Sequence, residues 1–266
     1  MPLKVCLAGA TGWAGSELAR GIAAADDLAL VAAVARRHAG QALGDVLGEP
    51  RLAAPIFASA AEALAQPCDV FVEYTHPDSA KANVLAALEH GAHVVVGTSG
   101  LTDEDYAQID AVARERRRGV LACGNFALTA VLLIKFAEMA AKLIPQWELI
   151  DYASAGKPDA PSGTVRELAT RLGRVRQPQL EVPLERTVGM RETRGGTLAG
   201  SQVHAVRLPG FVIGVEAIFG MPEQTLSLRH NAGSGAQPYV GGALLAIRKV
   251  PGLVGLHRGL DAVLEL

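Results

Sequence analysis

The first 125 residues alternate short, largely apolar runs with helical stretches, and that rhythm leaves few architectures open. Residues 3–8, 28–34, 70–74, 93–97 and 119–123 read as strands, with helices over 13–25, 78–89 and 103–117. Runs that are apolar at successive positions, without alternation, belong to strands buried on both faces, which helical crossovers over a parallel sheet provide. The expected class is therefore α/β, a Rossmann-type doubly wound parallel sheet.

After about residue 125 the pattern changes. A long helix over 127–143 leads to a strand over 147–152 and a helix over 162–172, followed by a Gly-rich, polar stretch, 189–201, that reads as loop. Segments 203–207, 211–219 and 224–229 then follow one another as strands without helices between them, which predicts an antiparallel meander; 240–249 returns to helix. The expected organisation is a dinucleotide-binding domain, 1–125 plus 236–266, interrupted by an α+β domain, 126–235, with a mixed or antiparallel sheet.

A net charge of −2 gives no electrostatic footprint for nucleic acid or an acidic membrane. Cys6, Cys68 and Cys123 have no metal-ligand spacing and read as buried thiols in a reducing compartment. No apolar run reaches spanning length and no signal-peptide pattern is seen, so the expectation is a cytoplasmic chain.

Gly9-Ala10-Thr11-Gly12-Trp13-Ala14-Gly15 lies between the first strand and the first helix, the context in which a glycine pattern marks a dinucleotide site. Gly9 allows the tight turn, Gly12 clears room for a pyrophosphate, and Gly15 lets helix and strand approach. The second strand ends in Ala35-Arg36-Arg37, with no acid to hold a ribose 2′-hydroxyl. Two guanidiniums suit the 2′-phosphate of NADPH, with NADH a second option. Thr75, then Gly97, Thr98 and Ser99, then Gly124, Asn125 and Phe126 fall at later strand ends, where open parallel sheets bind ligands. Each of these segments is also compatible with a plain turn.

Residues 157–164 read Lys-Pro-Asp-Ala-Pro-Ser-Gly-Thr. Pro161 suits a helix start, and the unpaired N–H groups at Ser162, Gly163 and Thr164, with the positive end of the helix dipole, form a cradle for a small carboxylate. Lys157 supplies a cation and a transferable proton. Taken alone, these residues are better read as a capped helix beside a solvated lysine, since capping signals are common.

Taken together, the residues at 9–15, Tyr74-Thr75-His76-Pro77, Gly97-Thr98-Ser99-Gly100, Asn125-Phe126, 159–164 and Val203-His204-Ala205-Val206-Arg207 resemble the dihydrodipicolinate reductases of diaminopimelate and lysine biosynthesis, over essentially the whole chain. The resemblance implies NAD(P)H-dependent reduction of a cyclic unsaturated dicarboxylate, a second domain for substrate binding and oligomerisation, and a homotetramer. It also implies that Gly163 and Thr164 hold a substrate carboxylate and that Lys157 is the catalytic lysine. Ser154 and Ser162 join the expected substrate contacts. The chain departs from the family pattern where that pattern carries a His-His pair: here stand Ala153 and Ser154, with Gly156 at a third frequent histidine position. Ser99 replaces a threonine, and an arginine usual before the last helix is missing from 233–238. His76 and His230 lie near expected site segments, although a structural role is the simpler reading of each. Two alternatives stay open: a sister reductase of another imine or enone acid, and a non-catalytic NADPH-binding paralogue.

Overall fold

The computed structural model describes residues 1–264. Two compact units are evident: Met1–Leu128 together with the chain from Ala236 onward, and Thr129–Gly235.

The first unit is built on β1 (Leu3–Ala8), β2 (Leu28–Val34), β3 (Ile56–Phe57), β4 (Val70–Glu73), β5 (His93–Val96), β6 (Gly119–Ala122) and β12 (Gly255–Arg258). They form a seven-stranded sheet in the order β12-β6-β5-β4-β1-β2-β3, parallel at every pairing. Two of these strands, β3 and β12, escape the hydrophobic pattern. β3 is only two residues long, and Gly-Leu-His-Arg of β12 has no apolar run to betray it. Helices α1 (Trp13–Ala23), α4 (Pro77–Glu89) and α5 (Asp103–Glu115) stand near their expected bounds. Two short helices, α2 (Leu43–Leu47) and α3 (Ala60–Ala63), fill the connection from β2 to β4. The central strands are closed to water, with Val5, Cys6, Leu7, Ala8, Phe71 and Val72 all at 0 % exposure. The chain leaves β1 toward β2 and β3 and then crosses to β4 on the other side of β1. Ligands in open α/β sheets bind at such a reversal, outside the carboxyl ends of the strands.

The second unit carries α6 (Leu128–Leu143, its first residue belonging to the first unit), β7 (Gln146–Ala153), α7 (Gly163–Val175), β8 (Gly196–Leu198), β9 (Ser201–Arg207), β10 (Ile213–Met221) and β11 (Gln224–Ala232). Its sheet runs β11-β10-β7-β9-β8. The expected meander is therefore incorrect: β7 inserts between β9 and β10, pairing parallel with the first and antiparallel with the second. Sequence proximity favoured a β9–β10 hairpin. Strand β7 alternates buried and half-buried residues along its whole length, and its buried set joins one core with residues of β9 and β10. The stretch 189–201 also proved more ordered than a loop, holding β8 and a 3₁₀ turn at Arg191–Arg194. Val165, Leu168, Ala169 and Leu172 form one stripe of α7, packed with Trp147, Leu149, Ala217 and Phe219. The last helix, α8 (Gln237–Lys249), returns to the first unit.

Candidate active site

Each unit presents one site, and the two are built from different local devices. In the first unit the turn after β1 depends on glycine. Gly9 has φ +82°, and a Cβ there would stand 2.2 Å from the Tyr74 carbonyl oxygen. A Cβ on Gly15 would meet the Gly9 carbonyl oxygen at 2.1 Å, so α1 can begin so close to β1 only without a side chain there. Gly12 is the N-cap of α1; no side chain caps this end, and its first turn contains no acidic residue. The result is a helix N-terminus with open donors and no competing negative charge, which suits a phosphate. Ala10 is wholly buried within this turn.

Beside this turn lies a cavity of about 360 Å³. Of the expected cofactor residues, Trp13, Ala14, Thr75, Gly97, Thr98, Ser99, Gly124, Asn125 and Phe126 line it. Gly9, Thr11 and Gly12 belong to the adjoining turn, and Arg36 and Arg37 are exposed in the 3₁₀ turn that follows β2. The strand-end segments are thus brought together as one wall. Gly97 has a steric reason: a Cβ would fall 2.0 Å from the Tyr74 ring. That ring packs on Phe126 with centroids 5.7 Å apart, and burial pushes the Tyr74 hydroxyl well above the ordinary phenol range.

Tyr74, which the Tyr74–Pro77 motif included without a role, also lines the cavity, and Tyr239 is a lining residue that no motif indicated. Tyr239 comes from α8, more than two hundred residues from Trp13, whose ring it meets edge-on at 5.7 Å. Glu73 lies behind the wall, fully buried at the end of β4. It accepts from the Thr75 N–H at 2.7 Å, the Thr75 and Thr98 hydroxyls, and Asn83 Nδ2 at 2.8 Å. A carboxylate ending the otherwise apolar strand Val70-Phe71-Val72 was the signal that would have found it.

In the second unit Ser162 is the N-cap of α7 and not its first residue; its side chain makes no capping bond. Its hydroxyl is nevertheless buried without a protein partner. Gly163 is exposed and Thr164 half-buried at the helix mouth. The mouth is held from below by two residues that the motif reading did not identify. Asp151, 1 % exposed, accepts the Ser162 N–H at 2.7 Å and pairs with Arg207 Nη2 at 2.7 Å. Arg207 also donates to the carbonyls of Asp151 at 3.1 Å and Asp159 at 2.8 Å. One ion pair therefore ties β7, β9 and the loop before α7 together. Alternation along Trp147, Leu149, Asp151 and Ala153 puts this acid on the core face, a legible warning in hindsight.

Lys157 is not a lone solvated cation. Its ammonium lies 2.6 Å from Asp159 Oδ1, and the contact holds the Asp159 carboxyl below the usual range. Ser154 is exposed in the turn after β7, with its carbonyl accepting the Lys157 N–H, whereas Ala153 is buried. His230, also buried, bonds Thr129 Oγ1 through Nδ1 at 2.9 Å, and burial lowers its basicity. The exposed His76 caps α4 and faces Asp78 at 3.3 Å. Both histidines have structural employment.

A parallel sheet with a glycine turn opening onto an uncapped helix, joined to a second mixed-sheet unit, defines the class of NAD(P)-binding reductases. Comparison with known proteins makes this specific. Residues 3–126 match the family model "Dihydrodipicolinate reductase, N-terminus" and residues 129–260 match "Dihydrodipicolinate reductase, C-terminus". The 4-hydroxy-tetrahydrodipicolinate reductase of Halalkalibacterium halodurans is 37 % identical over 99 % of this chain and all of that protein. That of Moorella thermoacetica is likewise 37 % identical, over 99 % of this chain and 98 % of its own. A dipicolinate-bound dihydrodipicolinate reductase from Paenisporosarcina sp. TG-14 superposes with a TM-score of 0.87 at 28 % identity, covering 99 % of this chain and 100 % of that one. The chain belongs to the dihydrodipicolinate reductase family, oxidoreductases of lysine and diaminopimelate biosynthesis. No helix among the described residues is long and apolar enough to cross a membrane.

Proposed function

We propose that this chain reduces 4-hydroxy-tetrahydrodipicolinate, or a closely similar cyclic unsaturated dicarboxylate, with NADPH preferred over NADH. The observation that carries the substrate class is the mouth of α7: its Ser162 N–H is taken by Asp151, but no cap side chain closes the helix start at Gly163 and Thr164, the buried Ser162 hydroxyl is unpartnered, and the Lys157 ammonium comes from the same motif. That donor set suits a carboxylate, and the related enzyme from Paenisporosarcina sp. TG-14 was solved with dipicolinate bound.

The fit of the first unit to a dinucleotide rests on the glycine turn and on a cavity of suitable size beside it. Gly9, Ala10, Thr11 and Gly12 would hold the pyrophosphate, and Thr75, Thr98 and Asn125 would contact the ring and its ribose. When bound, the reduced pyridine ring supplies a hydride. Gly163 and Thr164 orient the carboxylate, and Lys157 Nζ both stabilises the electron-rich centre and delivers its proton. Asp159 holds that ammonium in place between turnovers. A homotetramer and a cytoplasmic location complete the proposal; Met221 at the end of β10 and Leu226 on the edge strand β11 supply exposed apolar surface.

The test is NADPH oxidation with freshly generated 4-hydroxy-tetrahydrodipicolinate, where turnover clearly above background is expected. One observation favours a second reading, a sister reductase acting on another cyclic imino acid: neither the buried Ala153 nor the exposed Ser154 offers an acidic proton. A panel of such acids separates the two, and tight NADPH binding without turnover on any of them would defeat both.

Cofactor preference has its own check. Arg36 and Arg37 are exposed, and among the described residues no carboxylate is recorded in ion-pair range of either. Replacing both by glutamate is expected to weaken NADPH about 10-fold or more than it weakens NADH, since two phosphate-directed charge-assisted contacts are lost. Equal weakening of the two would remove the 2′-phosphate assignment.

A further inference from the structure

Glu73 is a buried acid for which the proposed chemistry has no use. It sits at 0 % exposure, and no lysine or arginine is recorded as its ion-pair partner among the described residues. Burial pushes its carboxyl up, and the bonds from Thr75, Asn83 and Thr98 pull it back. An isolated carboxylate in a protein core is costly unless every donor around it is well used. Bracing the loops after β4 and β5 is one use, but a neutral amide could do that as well.

A carboxylate differs from an amide in being an acceptor at both oxygens. Oε1 takes the Thr75 N–H and the Thr75 and Thr98 hydroxyls, and Oε2 takes Asn83 Nδ2. The Thr98 hydroxyl has a second acceptor on the same side, the Glu73 carbonyl at 3.3 Å. Each hydroxyl has a single proton. Ser79 Oγ stands 3.0 Å from Thr75 Oγ1 and has its own acceptor in the His76 carbonyl at 3.1 Å. With both threonine protons directed at Glu73, Thr75 and Thr98 present lone pairs to the cavity that they line. A ligand group lodged against them must then bring N–H or O–H donors.

We infer that Glu73 is a positioning residue: it fixes the Thr75 and Thr98 hydroxyls as acceptors toward the ligand, so that the pocket selects a pyridine ring bearing an amide N–H₂. The inference deepens the proposed function and rests on its placement of the dinucleotide in this cavity.

The test compares the binding of two reduced cofactors by titration calorimetry. One is NADPH; the other is its 3-acetylpyridine analogue, in which a methyl replaces the amide N–H₂ at nearly the same size. The unsubstituted protein is expected to favour NADPH by about 10-fold or more, because the analogue leaves desolvated acceptors unmatched. In Glu73→Leu no acceptor faces the threonines, their protons are free to turn toward the cavity, and the preference should fall to about 3-fold or less. A purely bracing role would weaken both ligands alike and leave the ratio where it was, which would overturn the inference. If Glu73→Leu does not fold, Thr75→Val and Thr98→Val answer the same question, since each deletes one acceptor and leaves Glu73 in place. The ratio should fall in at least one of them; an unchanged ratio in both, or no preference in the unsubstituted protein, also overturns it. Failure of the unsubstituted protein to bind either dinucleotide would instead remove the pocket reading, and this inference with it.

Discussion

Lys157→Met should lower kcat by about 10²–10⁴-fold, the range associated with loss of a positioned general acid, while dinucleotide affinity stays unchanged. Methionine keeps the length and apolar stem of lysine and removes only the charge and the proton. A second effect follows from the ion pair. Lys157 lies 2.6 Å from Asp159, whose side chain is 43 % exposed. Without the ammonium, that carboxylate is an uncompensated negative charge beside a carboxylate-binding helix mouth, so KM should rise as well. Adding Asp159→Asn removes the repulsion and should restore KM without restoring kcat. Steady-state kinetics on the single and double variants separate the two roles. A single variant that retains its kcat would take the lysine out of the chemistry.

Arg207→Met is expected to destabilise the second unit by about 3–5 kcal/mol, the cost typical of breaking a buried ion pair from one side. The magnitude follows from what stays behind. Asp151, 1 % exposed, loses its cation but cannot reach water, and the Asp159 carbonyl loses a donor. Denaturant unfolding measures the effect. Asp151→Asn on the Arg207→Met background should recover much of it, because a neutral amide can still accept the Ser162 N–H that the acid holds at 2.7 Å. Substrate affinity should suffer more than dinucleotide affinity in the single variant, since the pair anchors the loop before α7. A loss below about 1 kcal/mol would show that water or another donor replaces the guanidinium.

Much of the fold can be read directly from the residue pattern. The strands that form the middle of the parallel sheet are apolar at nearly every position, and their flanking helices keep a clear helical period. Glycine spacing after β1 was equally informative, because a Cβ at Gly9 or Gly15 would overlap backbone atoms about 2 Å away. The second unit was less transparent. Strands β9, β10 and β11 are individually legible, but the neighbour of each is chosen by long-range packing, and β7, which precedes them by a helix and a long connection, takes the central place.

The same division runs through the sites. Lys157, Ser162, Gly163 and Thr164 sit in one contiguous motif, and local chemistry suffices to nominate them. Asp151 and Arg207 are separated by 56 residues and meet only because β7 and β9 pair in parallel, Asp151 beside Ala205 and Ala153 beside Arg207. Tyr239 reaches Trp13 only because α8 comes back to the first unit.

Residue order alone thus settled the parallel α/β core, the glycine turn and the start of α7, since each depends on interactions within a few residues or on a simple period of hydrophobicity. Tertiary structure decided the order of the second sheet, the pairing of Lys157 with Asp159 rather than with solvent, and the buried acids Glu73 and Asp151 that hold the two sites in shape. Those features arise where distant segments exclude water together, and desolvation by remote partners leaves no mark on the local pattern.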